Sequence, residues 1–225
     1  MKIFLIILAI FLFIGGMSDP GSFKWHKNPS RLKVVLDVFI ILFIAFLFGG
    51  SDKIEFKNDE LLKKIKPYDI IQKEDISFPG RKRFKIFIIA PEAKTFEQRG
   101  LTALKAAMDF CYENDLDFVS AHLEINDRIK NLGYQIAIAD FSPDKGGVSG
   151  NEKLEKPWGI EAYDGDIDDI KLKATILYET NKKRFLNQNG LVDSNRIRKF
   201  INDELKVNDY SLLWIQRKKL EIDSI

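Results

Sequence analysis

Four polar side chains have the chemical types that acid–base or anion chemistry uses: Glu92, Arg99, His122 and Asp140. They lie near the ends of predicted strands or on the polar side of a strand, so the order of the sheet decides whether they converge. If they do, they supply carboxylates, a cation and an imidazole, as in a hydrolase. A simpler interpretation of Arg99 is favoured, in which it pairs with Glu92 and fixes the loop 91–95.

The sequence motifs of well-known hydrolases are missing. The chain contains neither a G-x-S-x-G nor an H-E-x-x-H motif. Its single cysteine, Cys111, falls on the apolar side of a predicted helix, which favours a small buried side chain over a reactive thiol, and it excludes an internal disulfide. We therefore expect a non-catalytic binding or interaction module without a cofactor. The alternative is an envelope enzyme that uses the four residues named above.

One glycine-rich segment, residues 142–150, invites comparison with a phosphate-binding loop. A Walker loop needs the spacing G-x-x-x-x-G-K-[ST], and a dinucleotide loop needs G-x-G-x-x-G at the start of a helix. The segment SPDKGGVSG meets neither pattern, and polar residues and Pro157 follow it. We predict a surface loop that joins two strands.

A second segment has the spacing of acids that begins a calcium-binding loop. Its carboxylates stand at positions one, three and five: Asp164, Asp166 and Asp168. Positions six and twelve, however, are Asp169 and Thr175, where such a loop needs glycine and glutamate. The favoured interpretation is a helix start, with an aspartate N-cap and further acids in the first turn. A metal site at the three aspartates is the weaker alternative.

Residues 84–113 begin the framework that must position these side chains. Residues 84–90 are apolar on both alternating sides, which predicts a strand buried on both faces. Thr95 and Gln98 have the spacing of a capping box, and apolar residues then recur at three- and four-residue steps. This pattern predicts an amphipathic helix that ends at 114–115.

Further strands are predicted after this helix. Residues 118–124 alternate between apolar and polar side chains, which indicates a half-covered strand parallel to the first. Residues 134–141 follow a turn and predict an antiparallel strand, and residues 158–163 predict a short one. We therefore expect an α/β domain, with α+β as the alternative, built on a single mixed sheet of three to five strands with helices mainly on one face.

Two helices and an apolar segment complete the predicted domain, 76–217. The first helix covers 170–186, and the second begins after Asp193, which has the type and position of an N-cap. Residues 212–215 are apolar enough for a last strand or a docking segment. Residues 218–225 are predicted as a frayed tail.

The N-terminal part, residues 1–50, predicts a membrane hairpin. The apolar runs 3–17 and 34–50 lie near the short end of the about 17–25 residues that span a bilayer. The linker between them is rich in lysine and arginine and is expected on the cytoplasmic side, which places the globular domain outside the cytoplasm. Because the first run is short and follows a lysine, a cleaved secretory signal is the alternative. Residues 51–75 are predicted as a juxtamembrane linker with a short helix.

The charge balance limits the classes of partner. The chain has 35 basic and 33 acidic residues, and its formal net charge is +2. A dedicated nucleic-acid binder would carry a basic stripe interleaved with aromatic residues, so nucleic acid is excluded as the expected partner. The expected partners are the lipid bilayer and a protein of the cell envelope.

Four stretches of the chain occur in an order that resembles the bacterial domain-of-unknown-function family 4875. They are IAPEAKTFEQRGLTALKAAMDF, DFVSAHLE, GYQIAIADFSPDKGGVSG and KFINDELKVNDYSLLWI. The resemblance covers roughly residues 76–217 and does not include the predicted hairpin. It implies a compact bacterial domain that often follows an N-terminal membrane segment. It implies no activity, catalytic residue or ligand.

Overall fold

The computed structural model describes residues 53–225, together with Ile40. Residues Ile54–Ile225 form one compact unit. Ile40 apart, the predicted hairpin over 1–50 and its signal-peptide alternative lie outside the described residues. Over 53–225, none of the helices combines the length and the apolar character that crossing a bilayer requires.

A single mixed sheet of six strands forms the centre of the compact unit. The strands lie side by side in the order of the sequence, and only β2 and β3 are parallel. Their bounds are β1 Asp69–Asp75, β2 Arg83–Ile89, β3 Phe118–Glu124, β4 Gln135–Phe141, β5 Trp158–Tyr163 and β6 Arg217–Lys219.

Four α-helices accompany the sheet, and one of them covers a sheet face. Their bounds are α1 Asp59–Lys64, α2 Phe96–Glu113, α3 Asp169–Asn181 and α4 Ser194–Leu205. The longest, α2, connects the parallel pair β2 and β3, as the predicted strand–helix–strand unit requires. It begins with the predicted capping box, in which the Thr95 side chain accepts from the Gln98 amide and the Gln98 side chain accepts from the Thr95 amide.

The main core lies between α2 and the sheet. The central residues of β2 are fully buried, as a strand covered on both faces requires, and the apolar side of α2 is buried with them. Gly100 lies on this side, where a Cβ atom would come within 2.9 Å of the Ile160 side chain and closer still to Leu220. A glycine at this helix position therefore allows α2 to approach β5 closely. Cys111 is 1% exposed, and burial raises the pKa of its thiol to about 12.

A second, smaller core lies between α3 and α4. Ala174, Ile197 and Ile201 are buried there, and Leu213 docks beside them with its amide donating to Thr175 Oγ1 at 2.8 Å. Residues 212–215 thus form a docking segment, and the strand offered for them as the other possibility does not form.

The sheet has six strands, and the prediction of three to five was therefore wrong. The first additional strand, β1, lies in the predicted linker 51–75, and β6 includes the first residues of the predicted tail 218–225. β1 is an edge strand with a register shift between Ile70 and Gln72, which breaks its alternation. β6 consists of three basic residues and is a strand only because it pairs with β5.

A candidate binding groove on the polar face of the sheet

The two faces of the sheet differ in chemistry. One face packs on α2, and the opposite one, which we call the polar face, carries two rows of cross-strand neighbours. The first row consists of Glu74, Lys85, Ser120, Asp140 and Gly159, and the second of Gln72, Phe87, His122, Ile138 and Glu161. Since side chains alternate along each strand, the polar positions of β3 and β4 meet on this face.

Ser120 connects the two sequence candidates that lie on the polar face. Its Oγ lies 3.1 Å from His122 Nε2, and Asp140 is its cross-strand neighbour. His122 Nδ1 is buried without a hydrogen-bond partner. Burial, with Lys85 and Arg217 nearby, lowers the pKa of His122 to about 4, so the imidazole is neutral at pH 7.

Asp140 is partly buried, and several groups act on its ionisation. Burial raises the pKa of Asp140, and the negative charges of Glu161 and Glu152 raise it further. The neighbouring Ser120 side chain acts in the opposite direction and lowers this pKa. A cation placed beside this carboxyl group would therefore favour its charged form.

A groove with a volume of about 410 Å³ lies over one end of the polar face. Phe118, Asp140 and Gly159 lie at its base. A Cβ atom built on Gly159 would meet no other atom within 4 Å, so the space above this strand position is empty. The sides of the groove come from the loop before β5 and from the chain at β6: Val148, Glu152, Leu154, Glu155, Lys156, Lys219 and Glu221.

The charges along the groove are predominantly acidic. Its two lysines already have acidic neighbours, since Lys156 pairs with Asp223 at 3.1 Å and Lys219 pairs with Glu221 at 2.5 Å. Asp140 has no cation among its pairs in the described part of the chain, and neither has Glu152. The groove therefore combines apolar side chains with an excess of negative charge.

The other two sequence candidates lie away from this groove. Glu92 is exposed in the loop after β2. Arg99 is 2% exposed on α2, where its guanidinium group donates to three backbone carbonyls: Ala93 at 3.4 Å, Tyr163 at 2.7 Å and Gly165 at 2.8 Å. Burial lowers the pKa of Arg99. The arginine does fix the loop 91–95, through the Ala93 carbonyl and without the expected ion pair to Glu92.

The aspartates of the acidic segment 164–168 make contacts within the protein. Asp168 is the N-cap of α3 and accepts from the Lys171 amide at 2.8 Å, as the favoured interpretation predicted. Asp164 pairs with Lys218 at 2.8 Å. Over residues 53–225, no three His, Cys, Asp or Glu side chains are grouped in a way that could hold a metal ion.

The glycine-rich loop 142–150 joins β4 to β5 and surrounds a guanidinium group. Arg81 Nη1 lies 2.8 Å from Asp144 Oδ2, and Nη2 lies 3.0 Å from Ser142 Oγ and 2.6 Å from the Gly147 carbonyl oxygen. Carbonyl and carboxylate oxygens suit a cation and would repel a phosphate. The loop thus connects two strands, as predicted, and binds a side chain of the protein itself.

Two neighbours of Asp140 were not among the sequence candidates: Ser120 on the polar face and Gly159 in the groove. Ser120 alternates in phase with His122, so the period of β3 already placed the two on one face. A glycine inside a short strand can mark a place where a ligand or another part of the backbone comes close to the strand. Gly159 was therefore the residue from which the groove could have been predicted. Neither signal shows which strands become neighbours.

The fold and the groove together define an α/β protein with a single mixed sheet, one face under α2 and the other polar. The family described as "Domain of unknown function (DUF4875)" matches residues 63–213, and the chain belongs to this family. A solved structure of a DUF487 family protein from Desulfovibrio piger is similar, with a TM-score of 0.57 and 20% sequence identity. The similarity covers 70% of this chain and 96% of that one, and it concerns the fold. The curated proteins contain no match.

Proposed function

We propose that the domain is a non-catalytic binding module whose groove accepts the cationic end of a ligand with an apolar body. One observation carries the proposal: the partly buried Asp140 lies at the base of the groove next to the empty space above Gly159. A carboxyl group in such a position costs free energy when it ionises alone. A bound ammonium or guanidinium group would offset that cost.

The apolar lining supports a ligand that is more than a small ion. Phe118 is 3% exposed at the base, and Val148 and Leu154 expose 41% and 37% of their surface beside it. Ligand pockets commonly combine an apolar lining with a few polar groups that orient the ligand. An aromatic amine, or a basic side chain of a peptide, meets both requirements.

We expect phenethylamine to bind the purified protein, and Asp140→Asn and Gly159→Val to weaken this binding about 10-fold to 100-fold. A charge-assisted hydrogen bond contributes about 1.5–3 kcal/mol, and about 1.4 kcal/mol corresponds to tenfold in affinity. The valine fills the groove without disturbing a turn. We also expect the affinity for phenethylamine to rise with increasing pH as Asp140 ionises. Two-dimensional NMR titration measures all of these quantities.

Phenylpropionate and phenethyl alcohol are the matched ligands, because they replace the cation by an anion and by a neutral group. Thermal melting of Gly159→Val checks the fold, and we expect no loss of stability since glycine is unfavourable inside a strand. Equal binding of the three ligands, or full binding to both variants, would contradict the proposal.

The proposed location is the cell envelope, with a two-pass membrane anchor and the domain outside the cytoplasm. The support is the pair of apolar runs 3–17 and 34–50 and the basic linker between them. The partner would then be a protein or small molecule of the envelope.

A C-terminal fusion to alkaline phosphatase tests this location, and we expect an active fusion together with an inactive C-terminal green fluorescent protein. Both reporters report the compartment of the domain. Removing the basic residues of the linker is the control, because it should weaken the orientation. A fluorescent and phosphatase-negative pair of fusions would place the domain inside.

A serine hydrolase is the second candidate, since Ser120 Oγ and His122 Nε2 lie 3.1 Å apart and the imidazole is neutral. The arrangement differs from a catalytic triad in two respects. In a triad the histidine lies between serine and aspartate, whereas here Ser120 is between His122 and Asp140, and His122 Nδ1 has no orienting partner.

We therefore expect a fluorophosphonate probe to leave Ser120 unlabelled. Ser120 is 8% exposed, and the imidazole beside it has no partner at Nδ1 that would orient it as a general base. Intact-protein mass spectrometry measures the labelling, with a trypsin sample as the positive control. Labelling that disappears in both Ser120→Ala and His122→Gln would favour the hydrolase over the binding module.

A further inference from the structure

A short hairpin between α3 and α4 presents exposed apolar side chains next to unpaired cations. We call this surface the basic tip, and it consists of Lys183, Arg184, Leu186, Leu191, Arg196 and Lys199. It shares no residue with the groove. A tight turn holds the hairpin, since the Asn187 amide donates to the Leu191 carbonyl at 2.8 Å and the Gly190 amide donates to the Asn187 carbonyl at 3.0 Å.

The two leucines flank this turn and face solvent. Leu186 is 43% exposed and Leu191 is 65% exposed. The Asn187 side chain accepts from the amides of Asn189 and Leu191, which orders the turn that carries them. Two neighbouring leucines on an ordered turn are apolar surface that a partner can cover.

Two arginines at the base of the hairpin lie against a pair of mutually tilted phenylalanine rings, and Arg184 also donates to Asn181 Oδ1 at 2.7 Å. The centroids of Phe185 and Phe200 lie 5.3 Å apart. The Arg184 guanidinium carbon lies 5.7 Å from the centre of the Phe200 ring, and that of Arg196 lies 5.8 Å from the centre of the Phe185 ring. Ring contacts orient these cations and leave their charge uncompensated.

Across residues 53–225, the four cations of the basic tip form no ion pair. Nearby cations differ in this respect, since Lys182 pairs with Glu179 and Arg198 pairs with Asp209. The exposed charge of the tip is thus selectively positive. A binding partner of the basic tip should therefore have a surface with dense negative charge.

We infer that the basic tip binds the surface of a bilayer that contains anionic lipids. The leucines would enter the interfacial region, while the four cations lie at the level of the headgroup phosphates. A bilayer provides apolar contact and negative charge side by side. A nucleic acid backbone provides the charge but leaves the leucines of the turn in water.

The test uses the full chain reconstituted into vesicles, with an environment-sensitive NBD label at Gln188→Cys. This turn position is exposed, whereas the native Cys111 is buried and inaccessible to the reagent. The vesicles contain either phosphatidylcholine alone or phosphatidylcholine mixed with phosphatidylglycerol. Since the label reports the tip itself, insertion of any other segment does not produce the signal.

We expect the NBD emission to shift to the blue, and headgroup-level nitroxide lipids to quench it, in the anionic vesicles only. One variant reverses the four charges of the tip: Lys183→Glu, Arg184→Glu, Arg196→Glu and Lys199→Glu. It should lower the equilibrium constant between the membrane-bound and the water-exposed tip about 100-fold or more. Leu186→Ser with Leu191→Ser should abolish the blue shift. Added salt should weaken the binding of the unaltered tip.

The matched control reverses four exposed lysines elsewhere and changes the net charge equally: Lys63→Glu, Lys94→Glu, Lys153→Glu and Lys206→Glu. This variant should bind like the parent. Emission typical of water in the anionic vesicles would overturn the inference, and so would equal signals from the two quadruple variants. Tip-dependent binding of an oligonucleotide without any response to vesicles would overturn it in favour of a nucleic acid.

Discussion

Replacing Arg81 with leucine is expected to lower the free energy of unfolding by about 1.5–3 kcal/mol, the usual contribution of hydrogen bonds to a charged group, because Arg81 is buried while its partner Asp144 is half exposed. The Arg81 side chain is 7% exposed, and its guanidinium group donates two hydrogen bonds of 2.8 and 3.1 Å to Asp144. Asp144 in turn accepts from Ser142 and from the Gly146 amide. Leucine would leave this network of acceptors without its donor.

The position of Arg81 explains why the cost is large. Its Nη2 also reaches the Gly147 carbonyl at 2.6 Å and the Asp117 carbonyl at 3.2 Å. One side chain therefore joins the turn before β2, the start of β3 and the loop that forms a side of the groove. Arg81→Lys should recover only part of the stability, because an ammonium group cannot bond two carboxylate oxygens and the carbonyls in the same fork geometry.

Urea unfolding monitored by circular dichroism measures these differences. Lys82→Ala is the matched control, since Lys82 is the next residue and forms an exposed pair with Asp115 at 3.3 Å that should contribute less than about 1 kcal/mol. The arginine holds the pKa of Asp144 well below its usual range, so its stabilising effect is present near neutral pH and is lost in acid. A loss for Arg81→Leu no larger than that of Lys82→Ala would refute this account.

The second large effect is a dependence of stability on pH that comes from His122. Its pKa is lowered to about 4 in the folded protein, whereas an unfolded histidine titrates near 6.5. As the pH falls through this window, the unfolded state takes up a proton that the folded state does not. The free energy of unfolding must therefore decrease as the pH decreases. At about 1.36 kcal/mol for each unit by which the pKa is shifted, the total decrease is about 3 kcal/mol.

We expect His122→Phe to remove this loss between about pH 6.5 and pH 4. Phenylalanine cannot be protonated, and the position already lies beside the Phe87 ring, whose centroid is 5.4 Å from that of the imidazole. Urea unfolding at a series of pH values gives the slope. Asp140 has the opposite effect, because a raised carboxyl pKa makes the free energy of unfolding decrease as the pH rises. Both proteins contain Asp140, so its contribution cancels when the parent and His122→Phe are compared.

His26→Gln provides the control, since the chain contains two histidines. It should retain the slope that His122→Phe removes. An unchanged slope in His122→Phe would mean that the imidazole is solvated in the folded protein, and the polar face would then be more open to water than its burial indicates.

The elements with strong local signals were predicted correctly. β2, α2 and β3 follow from apolar runs, a capping box and alternation, and the start of α4 follows from the aspartate that caps it. Each of these signals acts within a few residues, so the order of amino acids is sufficient to identify it. The family of the chain also follows from ordered stretches of this kind.

The sequence by itself thus determined the central strands, the helices, one buried thiol and the absence of the common catalytic motifs. Only the tertiary structure decided that β6 becomes a strand, that Arg99 binds carbonyls, and that Asp140 lies next to Ser120 and Gly159. The physical reason is that these features depend on contacts between residues far apart in the chain. Such contacts form when the sheet assembles, and no local pattern of side chains specifies its neighbours.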